Sequence, residues 1–295
     1  MKPISVTLLS SYLYCKRKLF LQHVLGLEEA PKEALVLGTI RHSVFDQINK
    51  LEEETVKEIK PEHELGDIVS LYSTKFSRAL RAAIIRNKHE LRKVSLPLDD
   101  AFRRVWQFLT PEIVVRSRNI QNFILANNVY GEELWLKLTP KIKSEYRVAS
   151  EELGLKGIID QLEVHGDRLV PIELKTGKCP EEGVWPSHRI QLAAYMLLLQ
   201  EKFGTDVAEG YINYLDTQER RRIALNPFFR DEVKELVLSV NSLLSGLEAP
   251  EIEKNENKCT NCSLKEMCHN KELIFEKTES VKSSRLSSIS KVARS

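Results

Sequence analysis

The chain has 295 residues, with 44 Lys and Arg against 42 Asp and Glu and a formal net charge of +2. That length suits one large domain or two ordinary ones, and the near-neutral balance by itself says nothing about nucleic acid. No apolar run reaches the roughly 18 residues of a membrane span, no secretory leader pattern opens the chain, and five cysteines, an odd number, argue against a disulfide framework. A cytoplasmic protein with no membrane partner is expected.

In chain order, residues 7–25 predict a helix that contains Cys15 and stops at Gly26. A second helix is expected from Lys32 to Lys60, ended by Pro61, with Gly38 and His42 one turn apart. The pattern stays helical through residues 64–135, with Asp99 or Asp100 as a cap and Pro111 in the first turn of a separate last helix. Charge is uneven here: residues 51–67 carry seven acids against two lysines, and residues 75–118 carry eleven Lys and Arg against four acids. Strands follow in "KSEYRVAS", "LKGIIDQLEV" and "RLVPIELK", then a buried helix from Ser187 to Phe203, two short strands, and a helix over 228–246. The last twenty residues are Ser-rich, basic and poor in large apolar groups, which predicts disorder. The expected class is α/β, a mixed sheet flanked by helices and interrupted by a helical insertion.

The stretch "GIIDQLEVHGDRLVPIELKTGK", residues 157–178, predicts a hairpin around the two-residue turn Gly166-Asp167. Residues then pair when their numbers sum to 333, so His165 faces Arg168 and Asp160 faces Glu173. Directly opposed like charges destabilise a sheet, and a divalent cation is the simplest remedy; Mg²⁺ in particular takes carboxylate oxygens and keeps waters. Lys175 shares that face and could orient or deprotonate an attacking water. The competing reading is a surface hairpin with ordinary ion pairs. Gln191 and Tyr195, at i and i+4 in "HRIQLAAYMLLLQ", share one side of an otherwise apolar helix.

Cys259-x2-Cys262-x5-Cys268 supplies three thiolates from one polar loop, and Cys15 is the candidate fourth. Such a set suits tetrahedral zinc or an iron–sulfur cluster. Cys179 reads as a bystander. Linking Cys15 to Cys259 closes nearly the whole chain, which removes much unfolded-state freedom.

Taken together, "GTIRH", "GIIDQ", "IELKTG" and "QLAAY", bracketed by "YLYCKRKLF" and "CTNCSLKEMC", resemble the iron–sulfur branch of the RecB-like nucleases in the PD-(D/E)xK superfamily. That branch includes CRISPR-associated Cas-four-type exonucleases, the nuclease domain of the replication nuclease-helicase that trims flaps, and stand-alone exonucleases. The resemblance implies a restriction-endonuclease-like core over residues 1–45 and 136–275, a helical insertion over 46–135 and a tail over 276–295. It implies that His42, Asp160, Glu173 and the Leu174 carbonyl bind Mg²⁺ or Mn²⁺, and that Lys175 acts on the water. Gln191 and Tyr195 would position DNA and the lysine, and Arg17 would touch phosphate. Cys15, Cys259, Cys262 and Cys268 would hold a 4Fe-4S cluster that staples the N- and C-terminal segments. The implied activity is metal-dependent exonuclease action on single-stranded DNA ends or flaps, in CRISPR spacer processing or in DNA repair and replication. CRISPR integrase proteins or a single-strand-binding protein would be partners. The alternative is a non-catalytic iron–sulfur subunit that binds DNA ends. The gap between His42 and Asp160 is longer than in compact CRISPR-associated members, and no G-x-x-x-x-G-K-[ST] phosphate loop occurs.

Overall fold

A computed structural model describes residues 2–29, 32–253, 255–260 and 262–292. The N-terminal segment forms β1 (Ile4–Ser5), α1 (Val6–Tyr14) and α2 (Lys16–His23), not the single helix expected. Cys15 breaks it. Its backbone is extended, at φ −164° and ψ 108°, and its Sγ accepts from the Lys18 N–H at 3.3 Å, so the thiol caps α2. This break turns the sulfur out of the helix toward the other cysteines.

Next come α3 (Glu33–Lys57), α4 (Leu65–Arg86), α5 (Lys88–Lys93), α6 (Leu98–Asn127) and α7 (Gly131–Lys137). The two helices expected around Pro111 are one, with the proline inside α6. A proline there forfeits one main-chain hydrogen bond. The apolar stripe nevertheless runs through it, with Leu109 and Ile113 buried on either side in the same core as Phe76 and Leu80 of α4. An ion network ties these helices internally: Arg116 donates to Glu52 at 2.6 Å and to Glu112 at 2.8 Å, and the Tyr72 hydroxyl donates to Glu52 at 2.8 Å.

The remaining elements are β2 (Lys141–Ser150), β3 (Leu155–His165), β4 (Arg168–Lys175), α8 (Pro186–Phe203), β5 (Glu209–Tyr214), β6 (Glu219–Ala224) and α9 (Phe228–Ser245). After them follow α10 (Glu256–Thr260), α11 (Lys265–His269) and α12 (Lys271–Val292). Among the described residues the sheet has six strands in the order β1-β3-β4-β5-β6, with β2 paired to β3. The β3–β4 and β2–β3 pairs are antiparallel, while β4–β5 and β1–β3 are parallel. Helices cover both sides. Ile172 and Leu174 join the core of α3, α4 and α6, whereas Leu162 and Ile212 join that of α1, α8 and α9. Every residue of α8 from Ile190 to Leu199 is buried, as its apolar run predicted.

The tail expected to be disordered is helical through Val292, and residues 293–295 lie outside the described residues. Ile274 and Val281, seven residues apart, pack onto a third core with α2, and Arg285 donates to the Ser245 and Leu244 carbonyls. A cation on the last carbonyls of α9 complements that helix's dipole. Among the described residues no helix is long and apolar enough to cross a membrane.

Candidate active site

The hairpin forms in the expected register, from His165 opposite Arg168 to Gln161 opposite Ile172, with Gly166 at φ +62° in the turn. One step further, main-chain pairing gives way to a side chain: Asp160 Oδ2 accepts from the Leu174 N–H at 2.7 Å. This bond anchors the first acid beside Glu173. Glu173 is 4% exposed, and burial, reinforced by the Asp160 charge, pushes its carboxyl up to about 7. Its Oε1 accepts from Lys175 Nζ at 2.9 Å and from Gln191 Nε2 at 2.6 Å. Its Oε2 is buried with no partner. A buried carboxylate oxygen left bare is costly, and a cation would satisfy it.

Lys175 is held from two sides, since Gln191 Oε1 also accepts from its Nζ at 2.8 Å. Gln191 Oε1 further accepts from Ser10 Oγ at 3.1 Å, and its Nε2 lies 3.5 Å from the Tyr195 hydroxyl. Both Gln191 and Tyr195 are buried, and burial raises the Tyr195 phenol well above its usual range, so it stays protonated. They orient Glu173 and Lys175. His188, one turn from Gln191, is held neutral, its imidazole lowered to about 4 by burial and then by Lys175.

From α3, His42 brings Nδ1 to 3.4 Å from Asp160 Oδ1, and that contact raises the imidazole above its ordinary value. Glu145 of β2, which the sequence reading passed over, completes the group. One ligand atom each from His42, Glu145 and Asp160 lie within 4.8 Å of one another. Burial first, and Asp160 second, raise the Glu145 carboxyl. Its backbone is left-handed at φ +48°, between the regular pairs Ser144–Gln161 and Tyr146–Ile159. A non-glycine residue in that region is strained, and such strain gathers at functional sites. Two acids and one imidazole could hold a divalent ion of the Mg²⁺ or Mn²⁺ type. Glu173, expected as a ligand, is not in that tight group; its bare Oε2 is what it has to offer.

Gly38 does not create a close approach, because a Cβ there would meet Thr176 Oγ1 at an ordinary 3.9 Å. The glycine that matters is Gly157, where a Cβ would lie 2.6 Å from Tyr195 Cε1. Beside His42, the buried Arg41 donates to Asp216 Oδ1 at 2.6 Å, and Asp216 Oδ2 accepts from the Gly177 N–H at 2.9 Å. This clamp, unread in the sequence, ties α3 to the turn that follows Lys175.

Cys15, Cys259, Cys262 and Cys268 line one small apolar cavity with Leu21 and Leu264. Cys179 lies apart, packed on the α8 core, as expected of a bystander. Arg17 does not stand ready for phosphate. Its Nε donates to Cys268 Sγ at 3.2 Å, and its terminal nitrogens donate to the Cys268 and Pro250 carbonyls.

A family model described as the PD-(D/E)XK nuclease superfamily matches residues 3–269. A CRISPR-associated exonuclease Cas4/endonuclease Cas1 fusion of Myxococcus xanthus is 34% identical over 42% of this chain and 22% of its own length. A CRISPR-associated exonuclease Cas4 of Thermoproteus tenax is 27% identical over 43% of this chain and 65% of its own. The DNA replication ATP-dependent helicase/nuclease JHS1 of Arabidopsis thaliana is 22% identical over 86% of this chain and 19% of its own. The chain thus spans less than two thirds of each of these relatives.

Proposed function

Because the chain belongs to the PD-(D/E)XK nuclease superfamily, we propose that it is a metal-dependent DNA exonuclease acting on single-stranded ends or flaps. The observation that carries this reading is the meeting of His42, Glu145 and Asp160 with the Glu173–Lys175–Gln191 triangle. His42, Glu145 and Asp160, with Glu173 Oε2 and the Leu174 carbonyl, would hold Mg²⁺ or Mn²⁺. When bound, the ion supplies charge stabilisation on the phosphate and lowers the pKa of a ligating water. Lys175, kept in place by Glu173 and Gln191, orients the attacking water and steadies negative charge on the non-bridging oxygens. The water oxygen bonds to phosphorus as its proton passes to the Glu173 carboxylate beside Lys175, the bond to the leaving nucleoside oxygen breaks, and that oxygen takes a proton from solvent. Arg41 and Asp216 keep the histidine and lysine elements at fixed separation.

Cys15 from the start of the chain and Cys259, Cys262 and Cys268 from one short segment line the same small apolar cavity. An all-thiolate set split one plus three supports a 4Fe-4S cluster over a zinc ribbon, which brings together two close pairs. The Cas4/Cas1 fusion of the Myxococcus relative supports a Cas1-type endonuclease as partner and DNA trimming before insertion as the task. A role in repair, inside the cell beside a single-strand-binding protein, is the other setting of the same chemistry.

The test is cleavage of end-labelled single-stranded DNA with Mg²⁺ or Mn²⁺ by anaerobically purified protein. Asp160→Ala and Lys175→Ala should each abolish cutting while keeping the brown cluster chromophore. Full activity in either variant overturns these roles.

A further inference from the structure

Alongside the catalytic group lies an open groove of about 810 Å³, lined by Arg147 of β2, Lys156 of β3, Lys202 of α8 and the hydroxyl side chains of Ser5 and Thr7. Tyr195, which touches Gln191, forms part of its floor, so the groove abuts the site. Arg147 and Lys156 are exposed and have no acidic partner among the described residues, and Lys202 reaches only the Arg147 carbonyl and the Tyr146 and Phe203 rings. The one acid in the lining, Glu201, accepts from the Ser150 hydroxyl, which does not neutralise it, so the lining sets three cations against one acid.

In the helical segment five of the eleven Lys and Arg over residues 75–118 are paired with acids, Lys75 with Glu58, Lys93 with Glu90, Arg103 with Asp100, Arg104 with Glu33 and Arg116 with Glu52. What singles out the groove is that its cations stand without acidic partners on the sheet surface that abuts the site. A cation already paired with an acid gains little from a phosphate, because the pair must first be broken; an unpaired one attracts it without that loss. The spacing also fits. Arg147 stands opposite Ile158, two residues from Asp160, and Lys156 is four residues away, or about 7 and 13 Å along a strand. These steps match successive phosphates of an extended single strand. Beside Lys202, Phe203 is 44% exposed and offers a ring on which a base can stack.

We propose that this groove is the track that holds a single DNA strand next to the metal group, with Arg147, Lys156 and Lys202 each taking a phosphate. The assignment rests on the nuclease reading for its biological meaning but not for its test. Binding of a fluorescein-labelled 20-mer of thymidylate is followed by anisotropy in EDTA, over a range of salt concentrations. The pair Lys156→Glu/Lys202→Glu should bind at least tenfold more weakly. Its dependence of log K on log salt should be shallower by about 1.4, two phosphate contacts at about 0.7 each. Should charge reversal disturb folding, seen by circular dichroism, Lys156→Gln/Lys202→Gln gives the same slope change. The pair Arg103→Glu/Arg104→Glu on α6 should alter affinity less than twofold. Unchanged affinity and slope in the groove variants, or the larger loss in the α6 pair, overturns the groove. A wild type that binds the oligonucleotide yet never cuts with Mn²⁺ removes the nuclease reading and leaves the groove standing. One that cuts while the groove variants bind normally removes the groove alone.

Discussion

Gly157 and Tyr195 are in contact across the interface between β3 and α8, with room for a hydrogen on the glycine and none for a methyl, whose carbon would sit 2.6 Å from the tyrosine ring. Tyr195 cannot swing away, because it is 2% exposed. Its hydroxyl meets the Gln191 amide that also bonds Glu173. The substitution Gly157→Ala therefore displaces a chain of contacts that ends on the lysine. Overpacking of this kind costs about 1–3 kcal/mol, so the melting temperature should fall by several degrees. Cleavage should fall much further, in kcat rather than KM. Thermal melts and single-turnover cleavage of the same preparation check this; wild-type kcat would deny the linkage.

Protonation of the metal-free site should govern stability in one direction. Glu173 is pushed up to about 7, and Glu145 and His42 are also raised, by burial in the first two and by Asp160 in the last. For each, the folded state binds its proton more tightly than the unfolded chain does. The associated stability is present below the unfolded pKa and is lost as pH rises through the folded one. Metal-free protein should thus lose stability between about pH 4.5 and 7. Mn²⁺ competes with those protons, so it should raise the melting temperature more at pH 7.5 than at pH 5. Glu173→Gln should flatten the metal-free slope. Melts across pH, with and without Mn²⁺, measure both; a rise in metal-free stability over that window would contradict the arrangement.

Much of this site was legible because a short turn sets a register. Gly166-Asp167 forces the β3–β4 pairing, and with it the neighbourhood of Asp160, Glu173 and Lys175 follows from counting. Glu145 was not legible. An acid on an alternating strand reads as solvent-facing, and nothing local announces its left-handed backbone. Gly154, at φ +63° between β2 and β3, was the one available hint, since a tight link there brings Glu145 opposite Asp160. The break at Cys15 escaped because the helical pattern continues on both sides and only the thiol's capping bond reveals it. The helical tail escaped because serine content outweighed two apolar residues one heptad apart. Arg17 was misplaced for a related reason: beside a cysteine, a guanidinium can serve the sulfur as readily as a phosphate, and sequence order does not choose.

The contacts of Arg17 predict how its loss would show. It ties α2 to Cys268 and to the Pro250 carbonyl, so Arg17→Ala should loosen the cysteine loop. The visible absorbance of the proposed cluster should drop by half or more, and proteolysis between α9 and α12 should quicken. The salt dependence of DNA binding should stay as in wild type, since no phosphate contact is removed. A shallower slope with an intact chromophore would instead restore the phosphate role.

The buried ion network of the helical segment makes the sharpest stability prediction. Arg116 and Glu52 are both nearly inaccessible and 2.6 Å apart, and Glu52 also receives the Tyr72 hydroxyl. Removing Glu52 leaves the buried Arg116 with Glu112 as its remaining acid, and breaking a buried pair typically costs about 3–5 kcal/mol. Because that second acid stays, Glu52→Leu alone should lower stability by about 3 kcal/mol, the lower end of that range. Replacing both, as Glu52→Leu with Arg116→Met, removes the buried cation along with the attraction, and such exchanges are often close to neutral. The double variant should recover part of the loss, leaving a deficit from the now unpartnered Tyr72 hydroxyl of about 1–3 kcal/mol. Urea denaturation of Glu52→Leu, Arg116→Met and the double closes the cycle. If the losses simply add, Glu52 and Arg116 act independently and the network reading fails. If the double is the more stable, α3, α4 and α6 are held together by apolar packing, with the charges serving only to fix how they align.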